Sequence, residues 1–204
     1  MRTATSALGR AVGSALRHWQ YVVALAMIAG VTGWWFLLRP GRQFEAEILT
    51  ASRRHRVDPA LIKAVIWQES RFNPVAVGAA GEVGLMQVTD PAAQEWASAV
   101  GAYPLPREHL FNPLTNILAG SWYLKRSLNR HLLTDDPLPF GLAEYNAGRG
   151  NVLKWARGLA ATNSEAFIEA IGFPSTRQYV RHVLARRLRY LPEFPGALAN
   201  SPVR

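Results

Sequence analysis

Residues 19–38, WQYVVALAMIAGVTGWWFLL, run for twenty positions without a charge. Wound as an α-helix at 1.5 Å per residue, such a run is about 30 Å long, the thickness of the hydrocarbon core of a bilayer. Trp19, Tyr21, Trp34 and Trp35 stand near its two ends, where amphipathic rings favour the membrane–water boundary. Arg17 and His18 precede it, and Arg39-Pro40-Gly41-Arg42 stops it. A cleaved leader has a shorter apolar region followed by a small-x-small site, and Trp-Trp-Phe-Leu-Leu offers none. The run therefore predicts one transmembrane anchor at 19–38, preceded by a short tail at 1–18. The tail carries Arg2, Arg10 and Arg17 and no acid, which favours the cytoplasmic side.

Charge constrains the part of the chain beyond the anchor. Of a formal net charge of +9, +5 falls within residues 1–42, leaving a mildly basic remainder. A nucleic-acid binder concentrates lysine and arginine in a patch. Arg53, Arg54 and Arg56, and the run Arg181, Arg186, Arg187 and Arg189, read instead as solvated helix faces. No nucleic-acid partner is expected, whereas a mildly basic surface suits an acidic polymer. The chain has no cysteine, which excludes disulfides, thiol nucleophiles and thiolate metal sites. The five histidines (18, 55, 109, 131 and 182) show no ligand spacing, so neither metal nor cofactor is expected.

From residue 44 onward the pattern is helical. Asp58-Pro59, Asp90-Pro91 and Asn112-Pro113 each offer a capping side chain followed by proline at the first helical position. Helices are expected at 44–56, 59–70, 91–100, 113–130, 138–147, 151–160, 164–171 and 175–190. No stretch alternates apolar and polar residues long enough to require a sheet. The reading is an all-α domain over 43–195 and a tail at 196–204. The exception to helix is 71–89, with Gly78, Gly81 and Gly84; a loop this long in a small domain tends to be functional.

In the helix 59–70, Ile62, Val65, Ile66 and Glu69 share one face, three of its members apolar. Glu69 also lies at the helix C-terminus, the negative end of the macrodipole. Burial and dipole both disfavour the carboxylate and raise its proton affinity, as an acid that protonates a glycosidic oxygen requires. On these residues alone, Glu69 is either such an acid or a core glutamate paired with Arg71 or Arg177.

Five blocks, Glu69-Ser70-Arg-Phe-Asn-Pro, Gly84-Leu-Met-Gln87, Ala143-Glu-Tyr145-Asn146-Ala-Gly148, Phe167-Ile-Glu169-Ala-Ile-Gly-Phe-Pro and Thr176-Arg177-Gln-Tyr179-Val180, stand in an order that resembles the SLT-type lytic transglycosylases, whose domain is lysozyme-like (goose-type). The resemblance covers roughly residues 44–190. It implies a periplasmic enzyme of the inner membrane that acts on the glycan strands of peptidoglycan. By the same resemblance, Glu69 is the single catalytic acid/base, and Gly84, Met86, Gln87, Tyr145, Asn146 and Glu169 are the substrate-binding residues. Gly84 would let a bulky sugar approach the backbone, and Gln87 would offer an amide to acetamido and hydroxyl groups. Met86 reads as groove lining or core. Tyr145 is expected near the reacting sugar, with Asn146 holding the site. Glu169 is either a groove carboxylate or a helix-surface one. Tyr179, Arg177 and Glu144 read as supports of the fold.

Two positions depart from the pattern the resemblance implies: Gly78 stands where serine is frequent, and Ser175 where glutamate is. The expected product is a 1,6-anhydromuramyl end. The alternatives are a muramidase on the same fold and a non-catalytic peptidoglycan-binding component. Wall turnover and local opening of the wall for a secretion or conjugation apparatus both remain open as roles.

Overall fold

The computed structural model describes residues 19–31, 33 and 42–196. The chain divides into two units, residues 1–42 and 43–204. In the first, 19–31 is helical and exposes apolar side chains around its circumference, among them Trp19, Val22, Leu25, Ile28 and Val31. Among the described residues no helix is long and apolar enough to cross a membrane. The tail expected at 1–18 and residues 32 and 34–38 of the expected anchor lie outside the described residues, as does 197–204.

The second unit is helical among its described residues, with eight α-helices: α1 (Glu45–His55), α2 (Pro59–Ser70), α3 (Asp90–Val100), α4 (Pro113–Asn129), α5 (Pro137–Ala147), α6 (Arg149–Trp155), α7 (Ser164–Ala170) and α8 (Pro174–Tyr190). Short 3-10 turns stand at 42–44, 107–111, 158–161 and 191–193. Asp58 caps α2 by accepting from Ala60 N–H at 2.8 Å, and Asn112 caps α4 by accepting from Thr115 N–H at 3.1 Å. Asp136 does the same for α5 through Leu138 N–H. For α3 the cap falls one residue earlier than expected, on Thr89, because Asp90 faces Arg107 at 3.1 Å instead. The helix expected at 151–160 is divided: α6 ends at Trp155, and 158–161 is a separate 3-10 turn.

α2 is the centre of the domain. Every residue from Pro59 to Ile66 is buried, including Lys63, whose ammonium pairs with Glu193 at 2.5 Å. The helix is thus enclosed on all sides rather than on one face. α8 packs along it in the opposite direction and is bonded at both ends. Arg187 pairs with Asp58 at 2.5 Å beside the start of α2, and Tyr179 reaches Glu69 at its end. That double attachment fixes where Glu69 sits.

Candidate active site

α2 ends in a turn that few sequences would choose. Arg71 (φ 54°) and Phe72 (φ 64°) are both left-handed, an arrangement that disfavours side chains and collects at functional sites. The Phe72 ring is buried and pins the turn. Ser70 latches the returning loop to the helix: its hydroxyl is 2.8 Å from the Leu85 carbonyl and 3.1 Å from that of Ile66. Residues 71–89 then double back through isolated antiparallel bridges, Val77 with Val83 and Val83 with Val88. Asn116, buried on α4, holds the inner edge of this loop. Its Oδ1 accepts from Met86 N–H at 2.8 Å, and its Nδ2 donates to Val83 O at 2.8 Å and Leu110 O at 2.9 Å.

Glu69 is partly buried at the end of α2. The Tyr179 hydroxyl donates to its Oε1 at 2.7 Å. Desolvation raises the Glu69 pKa from 4.5 to about 7; the Tyr179 bond opposes the rise and the charge of Glu82 adds to it. The ion-pair alternative fails. Arg71 stacks on Trp67 and donates to its carbonyl, while Arg177 donates to the carbonyls of Glu169 and Ile171. Burial, together with the neighbouring Glu69, pushes the phenols of Tyr145 and Tyr179 well above their usual range, so both stay protonated.

The other expected site residues take more varied places. Tyr145 lies close to Glu69, and its hydroxyl donates to Met86 O at 2.9 Å, leaving its oxygen lone pairs to accept. Asn146 is exposed, and its Oδ1 accepts from the Thr176 hydroxyl at 2.8 Å, which leaves the amide nitrogen as its donor. Gln87 (φ 48°) turns its amide N–H groups onto Gly84 O at 2.9 Å and Ala76 O at 3.3 Å, so it offers an acceptor rather than the donor-and-acceptor pair expected. A cavity of about 110 Å³ opens beside Gln87, Val88, Tyr123 and Tyr145.

Met86 and Glu169 each take one of the two places open to them, core and helix surface, and Gly84 serves the loop's own packing. Met86 is fully buried: its side chain packs on Gly120, and its sulfur accepts from Ser121, so only its carbonyl serves the site. Gly84 is buried too. A Cβ there would overlap the Asn116 amide and lie 2.8 Å from Leu110 O; the glycine admits the protein's own side chain rather than a sugar. Glu169 is 65% exposed and pairs with Arg181 at 2.5 Å. Arg177 and Arg181 stand two residues either side of Tyr179, roughly 200° around α8, so Glu169 lies across that helix from Glu69. It borders a separate depression with Asn163, Glu165 and Arg181.

Two residues near Glu69 were not assigned to the site from sequence. Tyr179 lies on the buried stripe Thr176, Tyr179, Val180 and Val183 of α8, and a tyrosine on such a stripe needs a partner for its hydroxyl; that signal was there to be read. Glu82 sits in a loop without periodicity and gives no comparable signal. Among the described residues no group of three histidine, cysteine or acidic side chains is placed to hold a metal.

The geometry comes down to a helical domain that holds one half-buried carboxylic acid, its pKa raised to about 7, bonded by a tyrosine from an antiparallel helix. Comparison with known proteins gives the family. The Transglycosylase SLT domain model matches residues 47–168, and the chain belongs to that family. It is 41% identical over 110 residues to membrane-bound lytic murein transglycosylase C of Klebsiella pneumoniae, covering 51% of this chain and 31% of the relative. To the protein of that name from Sodalis glossinidius it is 34% identical over 151 residues, 69% of this chain and 42% of the relative. The soluble lytic murein transglycosylase of Escherichia coli K12 is 35% identical over 125 residues, 60% of this chain and 19% of the relative.

Among solved structures, an inactive mutant of the lytic transglycosylase Slt from Pseudomonas aeruginosa superposes with a TM-score of 0.70 at 26% identity, over 82% of this chain and 29% of that one. The 70 kDa soluble lytic transglycosylase of Escherichia coli gives 0.66 at 28%, over 78% and 25%. The chain thus spans less than half the length of these relatives.

Proposed function

We propose that this protein is a membrane-anchored peptidoglycan lytic transglycosylase that cleaves the β-1,4 bond between N-acetylmuramic acid and N-acetylglucosamine. The observation that carries the reading is Glu69, held in acid form up to about pH 7 at the end of α2 in a chain of the SLT family. Glu69 protonates the bridging oxygen as the bond to the muramyl C1 breaks. The substrate's own acetamido oxygen stabilises the positive C1, as in substrate-assisted glycosidases. Glu69, now a carboxylate, takes the proton of the muramyl 6-hydroxyl as that oxygen bonds to C1. The product is a 1,6-anhydromuramyl end, no water is consumed, and Glu69 regains its proton. Intramolecular attack has a large effective-molarity advantage over water.

In this scheme Tyr179 steadies the Glu69 carboxylate through the second half-step. Asn146 N–H, the Tyr145 oxygen and Gln87 Oε1 face the sugars. The uncharged run at 19–38, whose described part exposes apolar side chains all round, supports a single-pass anchor in the inner membrane with residues 43–195 on the periplasmic side. So placed, the enzyme serves wall turnover or opens the wall locally for a secretion or conjugation apparatus. The test is mass spectrometry of products from purified peptidoglycan, using the full chain in detergent and Glu69→Gln beside it. Anhydromuramyl ends from the unmodified protein alone support the reading. Reducing ends identify a muramidase, and binding without cleavage identifies a wall-binding component.

A further inference from the structure

At the opposite end of α2 from Glu69, a cavity of about 280 Å³ opens against the start of the helix. Asp58, in its wall, is roughly 16 Å from Glu69 along the helix axis, and none of its lining residues borders the cavity beside Tyr145. Val57, Leu61, Leu128 and Leu138 line it with buried apolar side chains. Its charged residues differ in how they are engaged. Asp58 accepts from Arg187 at 2.5 Å and from Ala60 N–H at 2.8 Å. Asp136 caps α5 through Leu138 N–H, and Asp135 accepts from the Ser164 N–H at 2.8 Å and the Ser164 hydroxyl at 3.3 Å. The Arg56 guanidinium and the Lys125 ammonium, by contrast, have no hydrogen-bond or ion-pair partner among the described residues. Each acid in the wall is bonded by donors of the protein, and the charge left open is positive.

We propose that this cavity is a ligand site, separate from the glycan-cleaving site, for a small carboxylate with an apolar body. Arg56 and Lys125 receive the carboxylate, and Val57, Leu61 and Leu138 cover its hydrocarbon part. Two like charges on one cavity wall repel, and an anion seated between them removes that cost. Burial and the charge of Arg56 already hold the Lys125 pKa below its usual value. Arg56 is also the left-handed residue that closes α1, with φ 53° and ψ 51°, a place where glycine is less strained. An arginine there brings its guanidinium to the cavity at a backbone cost. The volume lies at the lower end of small-molecule sites, which suits a dipeptide or a short aliphatic chain. The carboxyl terminus of a peptidoglycan stem peptide and a free short-chain carboxylate share this chemistry. The assignment does not depend on the reaction at Glu69.

The experiment titrates the full-length protein in micelles with N-acetyl-D-alanyl-D-alanine, with butyrate, with the amide of each, and with inorganic phosphate. NMR follows the Lys125 ε-methylene signal, identified by its loss in Lys125→Met, and the leucine methyl signals. Both carboxylates should move these signals to saturation at millimolar concentration, with the amides and phosphate at least about tenfold weaker. Lys125→Met and Arg56→Gln should each weaken carboxylate binding by about tenfold or more. Arg53→Gln, which removes an exposed charge of α1 outside the cavity, should leave it unchanged. Tighter binding of the dipeptide supports the site with the wall peptide as its source, and tighter binding of butyrate supports it with a free carboxylate. An amide that binds as well as its acid overturns the proposal. So does an affinity unmoved in Lys125→Met and Arg56→Gln, or the failure of both carboxylates to saturate the signals.

Discussion

The Tyr179 hydroxyl donates to Glu69 Oε1 at 2.7 Å, joining residues 110 positions apart. The bond favours the charged carboxylate and works against the burial that raises its proton affinity. Tyr179→Phe keeps the buried ring and removes the donor. The Glu69 pKa should then rise above about 7, and the alkaline limb of the pH–rate profile should move to higher pH. The maximal rate should fall roughly tenfold, because a carboxylate without its donor forms less readily in the bond-breaking step. Thermal melting should show a loss of only about 1 kcal/mol. An alkaline limb that moves to lower pH would contradict the assigned role.

Glu69 also leaves a mark on stability. Its folded-state pKa is raised from 4.5 to about 7, so between those values the native state holds a proton that the unfolded chain releases. Its contribution is therefore most favourable below about pH 4.5 and is lost as pH rises through 7. Glu69→Gln removes this dependence. The variant should match wild type near pH 4 and exceed it by about 3 kcal/mol at pH 8. Denaturant titrations at the two pH values check this, and equal differences at both would mean that Glu69 is not held protonated by the fold.

The helices were legible because their punctuation is local. Asp58-Pro59 and Asn112-Pro113 start α2 and α4 at the expected residues. Glu69 was legible through its neighbours and the blocks after it, although the face argument was weaker than it looked, since α2 is buried on all sides. What the sequence hid is non-local. Gly84 and Met86 stand in a motif that reads as a binding loop, yet their tasks are set by Asn116 and Gly120, about thirty residues onward. Glu82 escaped for the same reason. A loop without periodicity gives no face, so only the folded backbone reveals that its carboxylate enters the space beside Gly78.

Glu144, next to Tyr145, is buried between Arg130 and His131, with Oε2 3.0 Å from His131 Nε2. Burial alone would raise its pKa, but the His131 hydrogen bond and the Arg130 charge outweigh it and hold the carboxyl below its usual value. This contribution is present above pH 4.5 and is lost as pH falls through the depressed folded-state value, opposite in sense to that of Glu69. Glu144→Ala strands Arg130 and His131 beside a cavity and should destabilise the domain by about 3–5 kcal/mol. Urea unfolding near pH 7 measures this; a loss under 1 kcal/mol would show the triad to be a solvated surface pair.

Two glycines with nearly equal positive φ differ in what surrounds them. Gly84 has φ 78° and Gly148 has φ 80°. A Cβ at Gly148 meets nothing within 4 Å, whereas one at Gly84 overlaps the Asn116 amide and approaches Leu110 O to 2.8 Å. Gly148, with ψ 154°, lies in a region that is essentially glycine's alone, so Gly148→Ala should show that backbone penalty without a collision, about 1–3 kcal/mol. Gly84→Ala carries a positive-φ penalty of its own and also displaces Asn116, whose amide holds the Met86, Val83 and Leu110 backbone groups. Leaving buried polar groups unpaired adds about 1–3 kcal/mol for each, so its loss should exceed that of Gly148→Ala by at least 2 kcal/mol. Because Met86 O also receives the Tyr145 hydroxyl, the rate of glycan cleavage should fall in Gly84→Ala even where the protein remains folded. Equal destabilisation by the two alanines would mean that the loop shifts freely around Asn116, and that Gly84 is needed only for its backbone angle.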